Sequence, residues 1–304
     1  MKKNRFFPVL IGLIVSTLWP LSAFSQPATE KKEPKNDSAA LLYKITGKDL
    51  AKPSYLFGTI HIICPNDLFG MEQLGGYLQQ TDRLYLEIDM DNPEVMSKMM
   101  SALSMPPGKS LQDYLTPEKY AKVDEMFQSV LGVPVGMLGR FSPFGLSVAI
   151  GASPKATGCP VPASYETKLV ELAAAINKTV DGLETIEEQI AAINKTPIEK
   201  QAEGLYKMAL DPQKSITQFK DLLAAYKLQD AEKLMEFITS QSTDDPDFQK
   251  NLLDERNKNW IPRIEKAIKE MPTFIAVGGG HLGGQTGVVR LLREQGYTVE
   301  PIKF

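Results

Sequence analysis

The sequence predicts a mixed α/β domain, a small central mixed sheet with a helical cap inserted in its middle. Three observations predict it. Short apolar segments rich in β-branched and aromatic residues stand near both ends of the chain, at 41–45, 54–61, 83–88, 273–278 and 297–302. Between them, from about 93 to 270, the apolar spacing is mostly helical. The chain then closes strand–helix–strand, a βαβ-like unit that ordinarily pairs its strands in parallel.

Taken in order, residues 1–25 read as a signal peptide. Lys2, Lys3 and Arg5 form a basic start, Phe6 to Phe24 is apolar, and Ala23-Phe24-Ser25 is a small-x-small cleavage pattern. The rival reading is an uncleaved anchor, since the apolar run approaches membrane-spanning length. Residues 26–40 are a polar, Pro-containing linker, and 41–304 form one domain. The first two strands, 41–45 and 54–61, flank the turn-rich Gly47-Lys48-Asp49 and predict a hairpin. A helix over 70–80 leads to the strand 83–88. Breaks at Pro106-Pro107-Gly108, Gly132-Val133-Pro134 and 151–162 divide the helical region, and 178–183 is a short strand within it. Thr243-Asp244-Asp245-Pro246 is a helix-start signal. A helix over 285–295 joins the last two strands.

The bulk properties narrow the function. The chain has 304 residues, 43 % hydrophobic and 23 % charged, with 34 basic and 37 acidic side chains. Removing residues 1–25 moves the net charge from −3 to −6, 31 basic against 37 acidic. No basic patch exists to neutralise phosphates, so nucleic acid is excluded as an expected partner. No second apolar run reaches membrane-spanning length, so no stable span is expected after cleavage. The oligomeric state is not legible. Cys64 and Cys159 each precede a proline in a loop, which places both near the surface. In an exported chain such a pair is expected as a disulfide, with two separate buried thiols as the alternative.

Only two histidines exist, His61 and His281, 220 residues apart. Each ends the same phrase, an apolar strand followed by Gly-x-x-His: Leu56-Phe57-Gly58-Thr59-Ile60-His61 and Ala276-Val277-Gly278-Gly279-Gly280-His281. Ligands gather at the carboxyl ends of strands in open α/β sheets, and neutral imidazole is both a common metal ligand and a proton-transfer group. The bland alternative is a pair of structural histidines. A phosphate cradle at Gly278 to Gly284 is weaker, because no further nucleotide-binding half follows it. Glu87, at the end of Leu84-Tyr85-Leu86, is a carboxylate that must be paired, hydrogen-bonded or metal-bound if buried. Glu184 closes Gly182-Leu183 and equally suits the first turn of the next helix. Arg256 sits within a helix, either in a surface pair or facing inward to hold a carboxylate or oxyanion.

Together these phrases, with Gly182-Leu183-Glu184-Thr185, Glu255-Arg256-Asn257 and Gly278-Gly279-Gly280-His281-Leu282-Gly283-Gly284, resemble the TraB/PrgY/GumN family, related to the TIKI metalloproteases. The resemblance spans about 41–304. It implies a metal-dependent hydrolase in which His61, His281 and Glu87 are metal ligands, with manganese or cobalt as ions. Glu184 and Arg256 sit in matching phrases. One departure is Gly279-Gly280, where many bacterial members have Ala-Gly before the histidine.

The expected chemistry is therefore metal-assisted hydrolysis, with a peptide or protein as substrate. Two imidazoles and a carboxylate suit manganese, cobalt, iron or zinc alike. Glu87 or Glu184 is the expected proton acceptor, and Arg256 the group that steadies an oxyanion. The alternative from another class is a non-catalytic binding protein using the same strand-end cleft, or an interaction module built on the cap helices.

Overall fold

A computed structural model describes residues 40–241 and 246–303. The segment read as a signal peptide, nearly all of the expected linker and the residues Thr243-Asp244-Asp245 lie outside the described residues.

Among the described residues, six strands form one mixed sheet: β1 (Leu42–Thr46), β2 (Ser54–Thr59), β3 (Arg83–Leu86), β4 (Thr179–Gly182), β5 (Thr273–Gly278) and β6 (Thr298–Ile302). Their order is β4-β3-β5-β2-β1-β6. The expected hairpin forms, with Leu42 opposite Phe57 in antiparallel register. Strands β2 and β5 are parallel, as are β5 and β3, and β3 and β4. The closing βαβ unit departs from expectation. β6 does not pair with β5 but lies at the far edge, antiparallel to β1. It still runs in the direction of β5, because β1 between them is the one reversed strand.

Sequence explains the centre of this order. All six residues of β2 are buried, as are five of the six in β5, the continuous apolar pattern of parallel strands covered on both faces. Helices Met71–Gln79, Tyr165–Ala175, Glu255–Glu270 and Val288–Glu294 contribute Leu74, Leu78, Leu169, Trp260, Ile264 and Leu292 to the same core. A second, separate core joins helices Pro117–Leu131, Pro143–Gly151 and Ile198–Leu210 through Val123, Phe127, Leu146, Ile150 and Leu205. The region 93–270 thus divides between two cores, since helices Tyr165–Ala175 and Glu255–Glu270 belong to the sheet. No helix among the described residues is long and apolar enough to cross a membrane.

Cys64 and Cys159 form a disulfide, their Cα atoms 5.8 Å apart. Cys64 is buried rather than at the surface, because its loop folds under the segment that precedes helix Tyr165–Ala175. A two-stranded bridge between Ile63 and Ala163 runs beside the disulfide.

Candidate functional site

Because β2, β3, β4 and β5 are parallel, their carboxyl ends lie along one edge of the sheet. The ladder stops at Thr59, Leu86 and Gly182, earlier than the apolar runs suggest, and at Gly278 as expected. His61, Glu87, Glu184 and His281 follow within three residues, where the side chains are free to turn toward one another. His281 ends a 3₁₀ turn, Gly279–His281. Arg256 comes from the first turn of helix Glu255–Glu270 and faces inward, with only 8 % of its surface exposed.

Glu87 is the hub. Its Oε1 accepts from the Gly278 amide at 2.8 Å and lies 3.7 Å from His281 Nε2 and 4.0 Å from His61 Nε2. Its Oε2 accepts from Arg256 Nη2 at 2.5 Å and from Gln189 at 3.2 Å. Burial opposes ionisation of Glu87, yet the Arg256 charge, then His281 and His61, hold its carboxyl well below the usual carboxylate range. Glu184 accepts from Arg256 Nη2 at 2.5 Å and from Trp260 Nε1 at 3.0 Å. There burial wins, and its pKa is raised despite Arg256. Arg256 Nη1 lies 3.3 Å from His281 Nε2.

A π turn, Lys250–Asp254, precedes this helix. It leaves the Leu252 carbonyl to accept from Arg256 Nη1 at 2.9 Å, which fixes the guanidinium across both carboxylates. Trp260, one turn on, stacks with its ring centre 4.5 Å from that of His281 and lies under the guanidinium at 4.8 Å.

The histidines differ. His281 is 3 % exposed, and burial lowers its pKa to about 3. His61 keeps 62 % of its side chain in solvent, and the Glu166 carboxylate raises its pKa to about 9. Glu166 Oε1 accepts from His61 Nδ1 at 2.8 Å and also from the Thr59 hydroxyl. At His281 the matching partner is Asn257, whose Oδ1 is 2.6 Å from Nδ1.

The donor types suit a divalent ion, and one spot among them is empty for want of a side chain. A Cβ added at Gly278 would lie 3.2 Å from Glu87 Oε1 and 3.5 Å from both His61 Nε2 and His281 Cδ2. Tetrahedral ligation with bonds of about 2.1 Å places donors about 3.4 Å apart. The observed 3.7 and 4.0 Å are wider, and among the described residues no three such side chains stand in closed ligating geometry. Glu87 meanwhile pairs with Arg256.

Sequence reasoning missed Glu166, Asn257, Gln189 and Trp260. Glu166 follows Ser164, the cap of its helix, and reads as an ordinary first-turn acid. Trp260 stands four residues after Arg256, a helical spacing that could have revealed the shared face. On the far side of Glu184 and Arg256 opens a cavity of about 180 Å³, lined also by Glu188, Lys195, Asn251, Asn259 and Arg263.

The fold and site define an α/β domain whose polar residues converge at the ends of parallel strands. Within that class, the chain belongs to the TraB/PrgY/gumN family, whose model matches residues 41–301. It is similar to the metalloprotease TIKI1 of Danio rerio, 24 % identical over 88 % of this chain and 64 % of that protein. Metalloprotease TIKI1 of Homo sapiens is 24 % identical over 82 % of this chain and 59 % of its own length. Metalloprotease TIKI2 of Danio rerio is 22 % identical, covering 89 % of this chain and 62 % of that protein. The chain thus spans about three fifths of the length of these relatives. No solved structure matches it significantly.

Proposed function

We propose that this chain is an exported metal-dependent hydrolase, a metallopeptidase, whose ion is held by His61, His281 and Glu87. The observation that carries the reading is the approach of both histidine Nε2 atoms to Glu87 Oε1, beside the bare Cα of Gly278. Charge supports it. Three buried carboxylates, Glu87, Glu166 and Glu184, stand in the site against the single guanidinium of Arg256. Such a cluster favours a cation. The relatives' printed names support the peptidase class.

A bound divalent ion supplies a water-derived nucleophile near neutral pH and polarises a carbonyl. The protein's own groups do the rest. Burial raises the pKa of Glu184, which makes it the better proton acceptor of the two carboxylates, while Glu87 stays ionised. Arg256 holds both carboxylates in place, and its fixed positive charge favours a developing oxyanion nearby. Export rests on the basic and apolar pattern of residues 1–25.

The test is metal content and peptide cleavage of the purified protein with manganese, cobalt, iron or zinc. His61→Ala and His281→Ala each lose both under this reading; a double variant that keeps full metal content and cleavage overturns it. A second reading, a binding protein without turnover, is favoured by one observation: Arg256 already fills both carboxylates and reaches His281 Nε2. Metal binding with no cleavage under any ion supports that alternative.

A further inference from the structure

Which nitrogen of an imidazole stays free depends on what the other one bonds. At His281 the answer follows from Asn257. The Asn257 Nδ2 donates to two backbone carbonyls, His281 O at 3.2 Å and Thr286 O at 2.8 Å. Carbonyls only accept, so the amide cannot be turned over without setting its oxygen against both of them. Oδ1 therefore faces His281 Nδ1 at 2.6 Å, and Nδ1 carries the hydrogen. The lone pair is left on Nε2. Arg256 Nη1, which can only donate, lies 3.3 Å from that atom and agrees with the assignment.

At His61 a different residue type holds the same nitrogen. An ionised carboxylate accepts only, so Nδ1 donates to Glu166 Oε1 at 2.8 Å. The Thr59 hydroxyl, on the last residue of β2, holds the same oxygen from the sheet side. His61 Nε2 is thereby turned toward Glu87 Oε1, 4.0 Å away. The two rings, one exposed and one buried, present the same edge to the same spot.

We infer that Glu166 and Asn257 are positioning residues, each holding the Nδ1 hydrogen of one histidine so that both Nε2 atoms face Glu87 Oε1. The consequence for ion binding rests on the metal reading proposed above, whereas the hydrogen-bond assignment does not. Partners of this kind typically change metal affinity 10–100-fold (about that range) when removed.

Two measurements test it. The chain has two histidines, so ¹⁵N spectra of the metal-free, tag-free protein are assigned by one histidine variant each. His281 in the wild type shows a single Nδ1–H form. Asn257→Ala loses that single form. Asn257→Ser, too short to reach the ring, gives the alanine result if the alanine variant does not fold. The second measurement is affinity for Mn²⁺ and Co²⁺ alone. Glu166→Ala and Asn257→Ala each weaken binding by about 10–100-fold, and Glu166→Gln, which keeps an acceptor oxygen for His61 Nδ1, recovers most of the Glu166 loss. A folded Asn257→Ala that keeps the Nδ1–H form overturns the inference. So does a folded Glu166→Ala with wild-type affinity. If the wild type binds neither ion, the metal reading fails, and the His281 spectrum alone decides the role of Asn257.

Discussion

Arg256 Nη2 lies 2.5 Å from Glu87 Oε2, and neither side chain exposes more than a tenth of its surface. The same nitrogen reaches Glu184 Oε1 at 2.5 Å. Removing one member of a buried ion network leaves uncompensated charge, which costs about 3–5 kcal/mol. Arg256→Met therefore destabilises the protein by about that amount in urea unfolding at pH 7. Arg256→Lys recovers little, because an ammonium cannot span both carboxylates in the planar fork geometry. A loss below about 1 kcal/mol would show that the carboxylates find other partners or take up protons.

Gly278 separates the site from the fold. Its backbone, at φ −50° and ψ 135°, is open to any residue, so Gly278→Ala is not strained by conformation. Its methyl would stand 3.2 Å from Glu87 Oε1 and 3.5 Å from His61 Nε2. We expect a folded variant within about 1 kcal/mol of the wild type that no longer binds Mn²⁺. Gly58→Ala gives the contrast, since its Cβ would fall 2.5 Å from Leu282 Cδ1 and 3.0 Å from Gly279 Cα. That overpacking destabilises by about 1–3 kcal/mol. Calorimetric titration with Mn²⁺ after thermal melts distinguishes the two, and unimpaired binding by Gly278→Ala would remove this spot as the ion's place.

The disulfide ties the His61 loop to the segment that delivers Glu166. Cys64 lies three residues beyond His61, and Cys159 precedes the bridge residue Ala163 and the helix that carries Glu166. It closes a sequence separation of 95 residues, and removing such a bond typically costs about 2–4 kcal/mol. Reduction should also loosen the His61–Glu166 contact, so the His61 pKa falls from about 9 toward 6.5. NMR titration with and without reductant checks this. An unmoved His61 would leave the disulfide with a stabilising role alone.

Strand-end positions were legible because apolar segments announce where strands stop, and His61, Glu87, Glu184 and His281 all follow such segments. The inward face of Arg256 was written in its spacing too, since Trp260, Ile264 and Ile268 follow at intervals of four and are all buried. Glu166 was not legible. Its own helix supplies a sufficient local reason for an acid in the first turn, and only the fold brings it beneath His61. Sheet order escaped for a related reason. The closing strand–helix–strand pattern fixes the direction of β6, but the choice of β1 over β5 as its neighbour depends on contacts far apart in the chain.

The two histidines set opposite limits on stability with pH in the metal-free protein. Burial lowers the His281 pKa from 6.5 to about 3, so the unfolded chain protonates first as pH falls. Stability from His281 is full above about 6.5 and is lost between there and about 3. Glu166 raises the His61 pKa from 6.5 to about 9, so the folded chain binds that proton more tightly. Its contribution is full below 6.5 and is lost as pH rises through about 9. Stability should therefore peak near pH 6.5, with the buried His281 giving at most about 1.4 kcal/mol per pH unit and the exposed His61 a screened, smaller slope. Replacing each histidine separates the limbs: His281→Asn flattens the acid side between about pH 6 and 5, and His61→Asn the alkaline side between about 7 and 9. Urea unfolding across this range, in chelator, reads both slopes. If His61→Asn leaves the alkaline limb intact, the exposed edge of that ring has screened Glu166 from it, and the proton it carries adds nothing to stability.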